Sequence, residues 1–445
     1  MAPWLAALLA LALALAAACS GGDASTPTAT PTTPVVSTAT PEATPAVTAT
    51  RPAVATRPFP PEAAQQLQEI LNRTAEIRGL QPRGEVDMKL IGREDAATYL
   101  RAAIKDMDRR VIALHEEVYG LLGLIPEDAD LLQLEIDLLQ ALVLGFYDPD
   151  VKAFFVLEDL GATSAASRST AAHELTHALQ DQYYDLNAIS ARLEKDWDAT
   201  AAFIDLVEGD ARATENTYTS RFFTGGDFAE MLRTFARLPA STVNIPQVVR
   251  RELDTPYTDG LRFVQAVSSR LPQGVDALFA RLPTTTSQIL HAEKYLDGVG
   301  ARPVDLLSLE VALGPGWRTL GQSNLGEFTV QSLLLLGLSD GGRVRAAAAG
   351  WAGDQWLLYG KDDGARVLPY TVMWDDAGQA RELWSALVAS LGGREAGGLA
   401  VSGDSLVWRS DGKVTRAALV GDTVTLVVSN REEASLAAAG ALGLP

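Results

Sequence analysis

The sequence feature that most constrains this chain is an H-E-x-x-H pattern at His173, Glu174 and His177. The surrounding run, AAHELTHALQDQYYD, is mostly helix-compatible and contains neither Pro nor Gly. Residues four positions apart lie about one turn apart on one face of an α-helix, so both imidazoles can bind one zinc ion. Glu174 points beside the ion, where it can accept a proton from a zinc-bound water. We expect Glu174 to face a solvated cleft.

A third zinc ligand must come from another part of the chain, because catalytic zinc sites usually hold three protein ligands. Positions 180 and 183 are Gln and Tyr, so the extended three-histidine motif is absent. A second helix is predicted at about 199–218, and Glu208 on its apolar face is the favoured ligand. Gly209 would let this helix approach the metal helix closely. Asp205 is the alternative ligand, and Asp210 and Glu215 are less well placed.

The N-terminal residues 1–18 predict a signal peptide, because a Leu- and Ala-rich run ends in small residues. Cys19, the only cysteine of the chain, follows directly and resembles the lipidated cysteine of bacterial lipoproteins. We therefore expect an exported protein, anchored to the cell membrane or envelope through lipid on Cys19. Ordinary signal peptidase cleavage at the same bond, giving a secreted protein, is the alternative.

Residues 19–58 are rich in Thr, Pro and Ala and predict a disordered stalk. The formal net charge of -19 argues against nucleic acid and anionic lipid surfaces as partners. With one cysteine, the chain can form no intramolecular disulfide.

The rest of the chain predicts an α+β fold in two parts. Residues 59–340 read as a mainly helical domain that includes a long amphipathic helix at 95–122, where His115 has a surface or packing role. Residues 341–445 predict a smaller α+β unit with hairpin turns at Asp411-Gly412 and Gly421-Asp422. Asn430 is expected to cap the last helix of this unit.

A short hairpin is predicted at 145–156, around a Tyr-Asp-Pro-Asp turn. Phe154 to Val156 could form an edge strand that binds a substrate backbone by strand addition. An ordinary core hairpin is equally consistent with the pattern.

Several motifs together resemble zinc peptidases of the gluzincin type, and more closely a set of bacterial cell-envelope proteins assigned as metallopeptidases. The shared segments are Tyr147-Asp148-Pro149, HELTHALQDQ at 173–182, Val207 to Ala211, Pro256 to Gly260 and Ile289 to Tyr295. The resemblance covers roughly residues 60–445. It implies a zincin fold and zinc hydrolysis, but it identifies no substrate.

Two further residues in these segments are candidate catalytic groups. Tyr257 and His291 could each donate a hydrogen bond to the oxyanion formed during amide hydrolysis. A structural role, in a turn for Tyr257 or with the backbone for His291, is the alternative.

The sequence therefore predicts a zinc metallopeptidase that acts on a peptide or protein substrate, with Glu174 as general base. The first alternative is a non-catalytic envelope lipoprotein that uses a zincin fold to bind a partner. The second is an acidic solute-binding lipoprotein, but the mainly helical first half lacks the strand pattern of that class.

Overall fold

The computed structural model describes residues 54–103, 106–142, 144–158, 163–237, 245–394 and 397–444. The predicted signal peptide, Cys19 and the stalk as far as residue 53 lie outside the described residues. The described chain is α+β, as predicted, with a mainly helical first part and a second part built on a large sheet.

The first part places its helices around a small sheet. Its helices are α1 (Pro61–Arg78), α2 (Arg93–Ala103), α3 (Asp106–Leu122), α4 (Leu131–Leu142), α5 (Ala165–Tyr184), α6 (Leu186–Leu193), α7 (Trp197–Phe222), α8 (Gly225–Arg237), α9 (Gln247–Thr255), α10 (Leu261–Ser268), α11 (Asp276–Ala280), α12 (Thr286–Leu290) and α13 (Ala292–Leu296). A π-helical turn, Pro256–Gly260, joins α9 to α10. The single helix predicted at 95–122 is described as two helices, α2 and α3, on either side of residues 104–105.

The small sheet consists of β1 (Thr56–Arg57), β2 (Asp87–Ile91), β3 (Gly145–Asp148) and β4 (Ala153–Leu157), in the order β1-β2-β4-β3. β4 lies between β2 and β3 and is fully buried, so the edge-strand interpretation of Phe154 to Val156 is wrong. That segment is a core strand. The sequence pattern of the segment could not show this, because its parallel partner β2 comes from a distant part of the sequence. The predicted stalk also ends earlier than residue 58, since β1 already pairs with β2.

The second part contains a seven-stranded sheet in the order β5-β6-β7-β11-β10-β9-β8. Its strands are β5 (Arg318–Ser323), β6 (Trp351–Gly360), β7 (Arg366–Trp374), β8 (Gly398–Ser402), β9 (Ser405–Ser410), β10 (Lys413–Val420) and β11 (Thr423–Ser429). The accompanying helices are α14 (Glu310–Leu313), α15 (Gly326–Leu335), α16 (Gly341–Ala348), α17 (Ala377–Gly393) and α18 (Glu432–Ala441). Because β5 belongs to this sheet and precedes residue 340, the sheet crosses the domain boundary predicted at that residue.

One hydrophobic core joins the two parts. It runs from Ile91 and the buried faces of α2, α3 and α4 to the large sheet, where it includes Trp356 and Val428. His115 is buried and stacks on Trp197 with a centroid separation of 3.4 Å, so packing is its role. Trp197 in turn contacts Trp356. Among the described residues, the structure contains no helix with the length and apolar character needed to cross a membrane.

The last helix does not begin as predicted. Arg431, not Asn430, is the N-cap of α18, and its side chain makes no capping hydrogen bond. The amide of Asn430 instead accepts a hydrogen bond from the backbone of Arg366 and donates one to Gly364. This side chain therefore stabilises the β6–β7 turn rather than a helix end.

Candidate metal centre

Helix α5 carries both histidines of the H-E-x-x-H pattern and is buried over most of its length. It begins at Ser164, whose side chain accepts a hydrogen bond from Ser167 N, and it ends at Asp185 in the left-handed region. Its apolar residues Leu175 and Leu179 pack with α1 and β4 in a second hydrophobic core. This packing on one side directs the two histidines towards α7.

Three side chains converge between α5 and α7: His173, His177 and Glu208. The His173 Nε2 atom lies 3.1 Å from His177 Nε2 and 3.0 Å from Glu208 Oε2. The His177 Nε2 atom lies 3.5 Å from Glu208 Oε1. A divalent metal that binds N and O ligands at about 2.0–2.2 Å in tetrahedral geometry separates these atoms by roughly 3.3–3.6 Å. The donor spacing is therefore close to that of a metal site.

A buried oxygen without a hydrogen-bond partner is also consistent with a metal ion at this group. Glu208 is fully buried, and its Oε1 atom has no hydrogen-bond partner among the described residues. A buried acceptor without a partner is costly, and a coordinated cation removes that cost. The three residues can therefore hold a metal ion, in agreement with the predicted ligand set.

The electrostatics of the group point the same way. Burial alone would raise the pKa of Glu208, but the charge of His177 and a hydrogen bond from His173 lower it to about 2. Burial alone would lower the pKa of His173, but Glu208 and Glu215 raise it to about 10. Protons on the imidazoles thus supply the positive charge that the buried carboxylates require, and a divalent cation can supply the same charge.

Glu174 lies beside this group rather than in it. Its Oε2 atom accepts a hydrogen bond of 2.9 Å from the backbone N–H of Tyr147 in β3. Burial raises the pKa of its carboxyl to about 7, although the two neighbouring imidazoles oppose the shift. The expectation of a solvated cleft is wrong, because Glu174 is only 4% exposed.

Tyr257 reaches the group from the π-helical turn. Its hydroxyl donates a 2.6 Å hydrogen bond to Glu208 Oε2, and its ring is stacked 5.9 Å from His173. Gly209 makes this approach possible, since a Cβ there would lie 2.5 Å from the backbone of Gly260. The close contact predicted for Gly209 with the metal helix is therefore wrong: Gly209 contacts the turn that carries Tyr257.

The structure places His291 in a different cluster. Its Nε2 atom lies 2.8 Å from Oε1 of the buried Glu327, which also accepts a hydrogen bond from Ser287. Within the described ranges, no hydrogen bond or ion pair joins His291 to the three metal-site residues. Asp205, the alternative third ligand, is also outside the group. Its backbone carbonyl instead faces Gly260.

The sequence pattern missed two residues that lie behind the histidines. Gln180 Oε1 is 2.8 Å from His177 Nδ1, and Glu215 Oε2 is 3.3 Å from His173 Nδ1. Glu215 also accepts hydrogen bonds from Ser169 and Arg212. Gln180 lies at the third position after His177, so helical spacing could have indicated it. Glu215 lies two turns after Glu208 on α7, and only the packing of α7 on α5 shows its partner.

Comparisons with known proteins bear on the second part of the chain alone. Residues 317–439 match the profile of a family described as a domain of unknown function (DUF8575). This match covers the large sheet from β5 to β11 and most of α18, and it excludes the metal site. No curated protein matches the chain, and no solved structure matches it.

Proposed function

We propose that the chain is a zinc-dependent peptidase of the zincin type, with His173, His177 and Glu208 as the zinc ligands. The observation that carries the proposal is the position of Glu174, which adjoins the three-donor group without taking part in it. A bound zinc ion would supply a Lewis acid that polarises a carbonyl group and acidifies water. A site that only stores zinc has no need of a carboxylate at this place.

The side chains of the chain have separate roles in this proposal. Glu174 accepts the proton of the attacking water and later transfers it to the leaving amine. The Tyr147 N–H holds the carboxylate of Glu174 in place. Tyr257 is close enough to Glu208 that its hydroxyl can donate to the oxyanion of a peptide bound at the site.

Substrate binding requires a change from the described conformation. The side chains of His173 and Glu208 are fully buried and that of His177 is 8% exposed, so a peptide cannot reach them directly. If a substrate backbone adds to the small sheet, it must add at one of the edge strands, β1 or β3, since β4 is paired on both sides. β3 is the edge strand that contacts Glu174, but its residues are buried and must first be exposed. The substrate class remains the one expected from the sequence, a peptide or protein.

The same burial favours a second candidate function. A buried site suits a structural zinc ion, although structural zinc usually has four protein ligands and this group offers three. A non-catalytic envelope protein that uses the zinc-bound fold to bind a partner would need no access to Glu174. The two candidates differ in what the loss of Glu174 should do.

The test is zinc content and peptide cleavage, measured on the same preparations of wild type, Glu174→Gln and Asp205→Asn. The peptidase proposal expects zinc in all three and cleavage reduced at least about a hundredfold in Glu174→Gln alone. Asp205→Asn is the matched control, because it changes a buried acid on α7 outside the site. Zinc in the wild type without cleavage of a broad peptide library would support the binding protein instead.

We also propose that the protein is exported and anchored through lipid on Cys19. The support is the sequence of residues 1–19 alone. Mass spectrometry of the mature N-terminus should find Cys19 carrying lipid. An unmodified Cys19 terminus on secreted protein would instead indicate ordinary signal peptidase cleavage.

A further inference from the structure

A buried hydrogen-bonded chain connects His177 to helix α1. His177 Nδ1 lies 2.8 Å from Gln180 Oε1, and Gln180 Nε2 lies 2.9 Å from Asp210 Oδ2. The same Asp210 oxygen accepts a 2.7 Å hydrogen bond from Arg78 Nε. The side chains of Asp210 and Arg78 are 3% and 5% exposed, so solvent does not compete for these contacts.

The partners of Gln180 determine which way its amide points. Gln180 Nε2 lies near two groups that can only accept hydrogen bonds, the carbonyl of Val207 and the carboxylate of Asp210. An amide oxygen in that place would face two other oxygens. The NH2 end of Gln180 must therefore point to α7, and the oxygen end must point to His177.

The amide direction in turn determines the tautomer of His177. Because Gln180 Oε1 can only accept, His177 Nδ1 must carry the hydrogen that it receives. The neutral ring then has its free lone pair on Nε2, the atom that faces His173 and Glu208. This is the tautomer that a metal ion at the three-residue group requires.

The second histidine is oriented differently. His173 Nδ1 faces the Glu215 carboxylate, which accepts through either oxygen and cannot present a donor. An amide has a donor end and an acceptor end, so Gln180 works only if another group fixes its direction. Asp210, held by Arg78, does this together with the carbonyl of Val207.

We infer that Asp210 is a positioning residue for the metal site, and that it acts only through the amide of Gln180. This inference rests on the proposed function, since it assumes that His177 binds zinc. Because Arg78 Nε and Gln180 Nε2 donate to the same Asp210 oxygen, an Asp210→Asn side chain can keep both hydrogen bonds, whereas Asp210→Ala removes the acceptor. In Asp210→Ala the NH2 end of Gln180 is held by the Val207 carbonyl alone, so the amide turns over more readily and donates to His177 Nδ1, which moves the ring proton to Nε2.

The experiment measures zinc affinity by chelator competition in wild type, Asp210→Ala, Gln180→Met and the double variant of these two. Asp210→Ala and Gln180→Met should each bind zinc about 10- to 100-fold more weakly, as other changes behind a metal ligand do. Asp210→Asn, which can keep both hydrogen bonds, should bind zinc as the wild type does. The double variant should be no weaker than Gln180→Met, because the same amide is lost. Asp276→Asn is the matched control. Asp276 also pairs with Arg78, but through Arg78 Nη1, and its side chain is 48% exposed.

The outcomes separate this inference from the proposed function. A wild type that binds no zinc overturns both. A wild type that binds zinc while Asp210→Ala binds it equally well overturns the inference alone, as do additive losses in the double variant. The melting temperature of the metal-free proteins is measured in parallel. Two further results count against the inference. One is a loss of zinc affinity that parallels the fraction of unfolded protein, and the other is an equal loss of zinc affinity in Asp276→Asn.

Discussion

Two buried carboxylates, one in each part of the molecule, have opposite electrostatics. Burial alone would raise the pKa of Glu215 on α7, but the charge of Arg212 and a hydrogen bond with His173 lower it to about 2. Burial raises the pKa of Asp354 on β6 to about 6, although hydrogen bonds from Tyr370 and the Leu325 N–H oppose the shift. Both carboxylates have hydrogen-bond donors, so the number of hydrogen bonds is not the difference.

The difference is the charge of the donors. Neutral N–H and O–H groups satisfy the oxygens of Asp354 but do not replace the hydration of a full negative charge. Cationic side chains around Glu208 and Glu215 do replace that hydration, and a bound metal ion can stabilise the negative charge in the same way. A buried acid surrounded by titratable cations is thus a better indication of a metal site than a buried acid alone.

Among the predicted changes, loss of a metal ligand should have the largest effect, a fall in zinc affinity. His173→Ala, His177→Ala and Glu208→Gln should each reduce zinc affinity by orders of magnitude, because the first two remove a donor and the third removes the negative charge of the group. Asp354→Asn should bind zinc as the wild type does. Metal analysis that finds equal zinc in wild type and both histidine variants would reject the site. If Glu208→Gln kept zinc while Asp205→Asn lost it, the third ligand would be Asp205.

Asp354 should make stability depend on pH in a definite direction. Its pKa is about 6 in the folded protein and 3.8 in the reference state, so between these values the folded state binds more protons. The free energy of unfolding should therefore fall as the pH rises from about 4 to about 6, by up to about 3 kcal/mol from this group. Urea unfolding of wild type and Asp354→Asn across this range isolates the contribution. Parallel pH profiles for the two proteins would contradict it.

Glu215→Gln should have an intermediate effect. The change keeps the shape of the side chain but removes the charge that faces His173, so zinc affinity should fall about 10- to 100-fold. Ser169→Ala removes only one hydrogen bond to Glu215 and should cost less. Zinc affinity from chelator competition ranks the two, and a larger loss for Ser169→Ala would exclude a direct role for the Glu215 charge.

Gly209→Ala should have the smallest effect of the set. Its Cβ would lie 2.5 Å from backbone atoms of Gly260, so α7 and the π-helical turn must separate at a cost of about 1–3 kcal/mol. Gly120→Ala in α3 is the control, since no atom beyond its chain neighbours and the backbone of its own helix lies within 4 Å of its Cβ. It should stabilise the helix by about 0.5–1 kcal/mol. Urea unfolding of the metal-free proteins checks both signs, and an unchanged Gly209→Ala would mean that the contact is not tight.

Local features of the sequence predicted much of the helical part. The H-E-x-x-H spacing, in a run without Pro or Gly, predicted a helix where the structure has α5. Glu208 was found because it lies on the apolar face of its own helix. Each of these inferences uses only neighbours within a few turns of the same element.

Features that depend on distant pairing were not predictable in this way. The central position of β4 depends on β2, which is paired with it in parallel from a remote segment. The contact of Gly209 with Gly260 and the pairing of Glu215 with His173 depend on how α7 packs against other elements. Burial of Glu174 likewise follows from β3, whose backbone closes over the carboxylate.

The core shared by α2–α4 and the large sheet has a consequence for the order of folding. Residues near the start of this core, such as Ile91, pack in the same cluster as Val428 on β11. During synthesis the early helices therefore have no complete apolar surface to bury against until the last strand has left the ribosome. Proteins with such long-range contacts fold slowly and expose apolar segments meanwhile. The nascent chain needs protection from aggregation for nearly its whole length, and a truncation before β11 should leave the early helices without a core.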